Sequence, residues 1–145
     1  MLAQNVERPM AKEWSKIEAF AHFGAALTNV RWSWSARTTD GGTVILALWS
    51  DRFSRKKTPT EYEEAIGGRT PEWIARPGNR ERLRNLIWAR DHCDGMFRVV
   101  MVRAKDTSAD PREISDCFPK DDLFMRITYL NEATGQFGAV AIVRD

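Results

Sequence analysis

The residues in this chain best suited to chemistry are tryptophans and arginines. Trp32 and Trp34 lie two positions apart, and Trp49 follows after a turn signal. If Val30 to Arg37 is an extended strand, Val30, Trp32, Trp34 and Ala36 share one face. The two rings then stand about 7 Å apart, with Trp49 on the neighbouring strand of a hairpin. Walls of this kind stack flat rings, including unpaired or extruded nucleobases. The same pattern also describes an aromatic core beneath a helix, with Trp14 and Phe20 packed on it. The expectation is a split: one of Trp32 and Trp34 structural, the other partly exposed beside a groove.

A second grouping is basic. Arg52, Arg55, Lys56, Lys57, Arg69, Arg76, Arg80, Arg82 and Arg84 give nine cations in residues 52–84, against five acids. Arginine and tryptophan interleave there as Trp73, Arg76, Arg80, Arg84 and Trp88. Arg80, Arg84 and Trp88 fall at helical spacing on one face. Neutralising phosphates while stacking bases is a common design of nucleic-acid surfaces. A solvated helix face beside a polar loop would carry the same residues. Tryptophan and arginine are also enriched at protein-interface hot spots, so a protein-interaction or inhibitor module is the competing reading.

Catalytic patterns are sparse. His22 and His92 sit near predicted helix ends, where the helix dipole favours them. Cys93 falls on an apolar stripe and reads as a small core residue. The chain has no paired-cysteine or paired-histidine metal spacing and no phosphate-cradling glycine loop. The strand ending at Lys105 has Arg103 where a metal-dependent nuclease would need an acid. No cofactor and no metal are expected. A small enzyme acting on a nucleotide-like ligand is the third reading, with His22, His92 and Asp94 as its first suspects.

These residues need a scaffold. The chain has 145 residues, is 43% hydrophobic and 29% charged, and carries a net charge of +2. That is the composition of one globular domain. No apolar run approaches the length of a membrane span, and no signal core opens the chain. We read it as cytoplasmic, with Cys93 and Cys117 as free thiols. Residues 1–10 are expected to be a flexible arm. Helical spacing marks Ala11 to His22. Asp40-Gly41-Gly42 joins Val30–Arg37 to Thr43–Ser50 as a hairpin. Residues 51–76 read as a mobile loop, with a short helix possible over Pro59–Ile66. Asn79 is the predicted N-cap of a helix reaching Asp94 and stopped by Gly95, with Leu83, Leu86, Ile87 and Cys93 as its core stripe. Phe97–Ala104 is a strand. Asp110-Pro111-Arg112-Glu113 predicts a short helix to Cys117. Leu123–Leu130 and Phe137–Val143 are strands. The fold class is therefore α+β, with a mixed, largely antiparallel five-stranded sheet or small barrel and two to three helices.

This layout of short strands, one longer helix and aromatic strand faces resembles the PUA-like barrels, which include ASCH, EVE and SRA-type modules. The resemblance covers residues 30–143 in element order. It implies a module that reads RNA or modified DNA bases in an aromatic pocket. Together with the two groupings, it gives the expected function: a non-catalytic nucleic-acid-binding module. Trp32, Trp34, Trp49, Trp73 and Trp88 would stack, and Arg76, Arg80, Arg84, Lys56 and Lys57 would hold phosphates.

Overall fold

The computed structural model describes residues 13–54, 56, 58–64 and 70–143. The first helix, α1 (Lys16–His22), starts where Ser15 and Glu18 form a reciprocal capping box. Strands β1 (Ser35–Arg37) and β2 (Val44–Trp49) form the expected antiparallel hairpin. A 3₁₀ turn (Ser50–Arg52), β3 (Phe53–Ser54), β4 (Glu61–Glu64), α2 (Pro71–Ile74) and α3 (Pro77–His92) follow. The chain closes with β5 (Met96–Ala104), β6 (Ile114–Leu130) and β7 (Phe137–Ile142).

Among the described residues the sheet has seven strands, not five, in the order β1-β2-β5-β6-β7-β4-β3. It is mixed: β2 and β5 pair in parallel and every other pairing is antiparallel. The two additional strands come from the stretch read as a loop. In β4, Tyr62 and Glu64 point inward while Glu61 and Glu63 are exposed. The alternation is present in the sequence, but an inward glutamate disguises it. No helix spans the described part of Pro59–Ile66.

The sheet is not closed into a barrel, since β1 and β3 are unpaired edges. It is nevertheless strongly curled. Only Ser50–Arg52 separate Trp49 at the end of β2 from Phe53 at the start of β3. That link reaches at most about 15 Å, whereas five flat strand spacings would need about 24 Å.

Side chains alternate along β2 between two cores. Val44, Leu46 and Leu48 pack with Leu86, Ala89, Val99, Met101 and Phe137 beneath α3. Ile45 packs on the other face with Val100, Val102, Cys117 and, from α1, Ala19 and Phe20. Cys93 and Cys117 are free thiols.

Three expected elements differ. The strand Val30–Arg37 begins only at Ser35, because residues 29–33 form a polar turn. Asn29 N donates to Ser33 Oγ, and Trp32 and Ser33 N donate to Asn29 O. Burial consequently does not follow the expected alternation: Ser33, Ser35 and Ala36 are buried and Val30 is exposed. The stretch predicted as a helix at Asp110–Cys117 is the end of the β5–β6 loop followed by the start of β6. Arg112 there reaches Asp51 and Thr107 O, and Ile114 pairs with Ala104. Helix α3 begins at Pro77, so Asn79 is not its cap; Asn79 Nδ2 is turned inward and donates to Ile74 O and Thr134 O.

The predicted stop of α3 is correct. Gly95 adopts φ +75° and its N–H returns to Ala89 O at 2.8 Å. Its buried face is Gly78, Asn79, Glu81, Arg82, Asn85, Leu86 and Ala89. Of the predicted stripe, Leu83, Ile87 and Cys93 are only half-buried.

Candidate functional site

A cavity of about 400 Å³ lies at the carboxyl ends of the parallel pair β2 and β5. Four segments close around it. The turn before β1 brings Arg31 and Trp34, and the end of β2 with the 3₁₀ turn brings Trp49 and Arg52. The end of β4 brings Glu64. The α2–α3 segment brings Trp73, Arg76 and Arg82. Lys16 of α1 and the β5–β6 loop, with Asp110 and Arg112, complete the wall.

The aromatic part is built by close packing. Trp34 and Trp73 are tilted by 36° at 5.8 Å between ring centroids. Gly78 is what lets α3 approach them. A Cβ at that position would stand 2.5 Å from Trp32 O and 2.9 Å from the Trp34 ring. Thr70 caps α2 by accepting from Trp73 N, which fixes the start of the turn that carries Trp73. Trp49 is held from the opposite side by Arg112, whose guanidinium lies 5.0 Å from the ring centroid. Arg112 also grips Asp51 through two bonds of 2.8 and 2.9 Å. That fork holds the Asp51 carboxyl below its usual range and raises Arg112.

The floor is ionic. Glu64 is nearly fully buried and accepts from Tyr62 Oη and Arg52 Nη1, both at 2.8 Å. Arg82, equally buried, approaches the same carboxylate only to 3.6 Å. Burial, reinforced by the Glu64 charge, pushes the Tyr62 phenol well above its usual range, so it stays a donor. Lys16 Nζ donates to Val30 O at 3.3 Å, and burial lowers its pKa. Among the described residues that line it, six are cations (Lys16, Arg31, Arg52, Arg76, Arg82, Arg112) and two are acids (Glu64, Asp110). The cavity therefore combines three indole faces with an excess of positive charge, which suits a flat, electron-rich or anionic group.

Of the residues singled out in the sequence, Trp34, Trp49, Trp73, Arg52, Arg76 and Arg82 meet here. Trp32 does not; it is half-buried in the turn before β1. Arg80 and Arg84 are exposed on α3 and Lys56 is exposed on the β3–β4 connection, all three outside the cavity wall. Lys57, Arg55 and Arg69 lie outside the described residues. Trp88 belongs to the far end of α3, where Nε1 donates to Gly41 O at 2.8 Å and the ring packs on His92 and Arg37.

The residues that sequence reasoning did not place here are Lys16, Arg31, Glu64, Asp110 and Arg112. Arg31 lies in the turn before β1 and not on the expected strand, and Arg112 lies in the β5–β6 loop and not on the expected helix. Glu64 carried one usable signal, its two-residue spacing from Tyr62 within Glu61–Glu64. The early enzymatic suspects are in surface contacts elsewhere. His22 Nε2 meets Asp121 at 2.6 Å, His92 stacks on Trp88, and Asp94 pairs with Arg126 at 3.0 Å. None of them lines the cavity.

No protein-family model matches the chain, and no curated protein or solved structure matches it either. Among the described residues, no helix is long and apolar enough to cross a membrane.

Proposed function

We propose that this chain is a non-catalytic nucleic-acid-binding module that receives one unpaired, extruded or modified base in the cavity between Trp34, Trp49 and Trp73. The observation that carries this reading is the meeting of three indole rings and six cations around one cavity of about 400 Å³. The volume suits a single base with its sugar rather than a folded partner. The half-buried rings supply stacking, worth about 1–3 kcal/mol per base. Arg31 and Arg76 are exposed on its wall, where a flanking phosphate would be neutralised. Recognition of a base in an aromatic pocket is also what the likeness to PUA-like modules implies.

The competing reading, a protein-interaction module using the same tryptophans as hot spots, is less well served by rings that line a cavity than by rings on a flat face. Tryptophan fluorescence, titrated with short single- and double-stranded oligonucleotides at two salt concentrations, separates the two. The nucleic-acid reading requires quenching and an affinity that falls as salt rises. Absence of both, or capture of a protein partner that persists at high salt, overturns it.

A further inference from the structure

Of the two buried charged groups in the cavity wall, Glu64 and Arg82, Arg82 is the less satisfied. Its side chain is 5% exposed and lies between the Trp34 and Phe137 rings, at 5.1 and 5.3 Å from their centroids. A guanidinium has five N–H donors and does not lose its proton in a protein. Its protein contacts are all long. Glu64 Oε1 stands at 3.6 Å and Asn79 Oδ1 at 3.4 Å, and the buried Nε has no hydrogen-bond partner. Glu64 is committed to the shorter bonds from Tyr62 and Arg52. A buried cation held this loosely is costly until an acceptor reaches it.

We infer that Arg82 is a specificity-determining residue that reads a base edge presenting two adjacent acceptors. The inference rests on the base-binding reading above and deepens it. Guanine offers such an edge at O6 and N7, the pair a guanidinium fork fits best. Cytosine offers O2 and N3 side by side. Adenine sets its amino group beside N7 and beside N1, so a fork would meet donor against donor. Thymine and uracil place an N–H between their two carbonyls. The pocket therefore selects guanine or cytosine and disfavours adenine and thymine.

The test uses the whole chain and short thymidine strands that differ only in one central guest base. Tryptophan fluorescence titrations should show a guanine or cytosine guest bound about tenfold or more tighter than an adenine guest or the all-thymidine strand. The guanine and cytosine arms identify which acceptor edge is read. R82K keeps the charge and loses the fork, so discrimination should collapse while salt-dependent binding to every strand persists; circular-dichroism melts check that the variant folds. Equal affinity of the wild-type chain for all guests, or a preference that survives R82K, overturns the inference and leaves the nucleic-acid reading standing. Failure of every strand to bind removes both. If R82K does not fold, the wild-type series decides.

Discussion

The two ends of α3 each set a tryptophan against an arginine, with different results. At the last turn, Trp88 stacks on His92 at 3.9 Å, carries Arg37 over its face at 4.3 Å, and donates its N–H to Gly41 O. At the first turn, Trp34 lies against Gly78 and Trp73, with Arg82 at 5.1 Å. The first cluster is closed on itself: the turn of the β1–β2 hairpin fits the Trp88 ring so tightly that a Cβ on Gly41 would stand 2.9 Å from it. The second surrounds a cavity and leaves a buried cation without good partners. Identical residue types thus serve as a clamp in one place and as a candidate site in the other. What separates them is whether their polar atoms are already satisfied, a property no residue type carries by itself.

The largest expected effect is at the floor of the open cluster. Glu64→Ala removes the carboxylate that stands 3.6 Å from Arg82 and takes an acceptor from Tyr62. Breaking a buried pair on one side costs about 3–5 kcal/mol. Chemical denaturation should show that loss; a change within about 0.5 kcal/mol would mean that Glu64 contributes little to the floor. Gly78→Ala should cost about 1–3 kcal/mol, because a backbone carbonyl and an indole stand where the new methyl must go. An unchanged midpoint would show that α3 shifts freely and that the close approach is not required.

The two tryptophans then separate binding from stability. Trp34→Ala should weaken oligonucleotide binding by about 1–3 kcal/mol. Trp88→Phe should leave binding unchanged and cost about 0.5–1.5 kcal/mol of stability through the lost bond to Gly41 O. Equal binding losses in the two variants would erase the distinction between the ends of α3.

The smallest effect is in acid. The Asp51 carboxyl lies below its ordinary 3.8 in the folded chain, held there by Arg112. A carboxylate depressed by folding contributes stability that is fully present above its unfolded value and is lost as pH falls through the folded value. Asp51 is about a third exposed, so the contribution is below about 1 kcal/mol. Comparing melts of the wild-type chain with Asp51→Asn, the difference should be present at neutral pH and shrink below about pH 4. A difference that stays constant into acid would show that Asp51 acts through something other than its charge.

The hairpin and the end of α3 were legible in the sequence because glycine marks both: Asp40-Gly41-Gly42 at the turn and Gly95 at the stop. The inner face of α3 was not. Hydrophobic periodicity points to Leu83, Ile87 and Cys93, while the chain buries Asn79, Arg82 and Asn85, each satisfied or half-satisfied by a residue distant in sequence. Asn85 finds Ser35 Oγ at 2.8 Å, which also explains why the serine of β1 turns inward. The same blindness hid β4, where Glu64 occupies an inward position. Within the site, the tryptophans and Arg76 could be nominated by type. Arg31, Glu64 and Arg112 could not, since they arrive from three segments whose meeting depends on how the sheet curls.

The crossing from β2 to β3 has a consequence for synthesis on the ribosome. Strands β5, β6 and β7 are consecutive and can form a meander as they emerge, with short loops to close. Strand β4 pairs only with β3 and with β7, the last strand of the sheet. Glu64, Tyr62 and the floor of the cavity therefore cannot be assembled until β7 is available. A nascent chain arrested before Phe137 should leave residues 53–64 open to proteases, and release of β7 should protect them and the meander together. Protection of 53–64 before β7 emerges would show that the β3–β4 hairpin can dock without its neighbour.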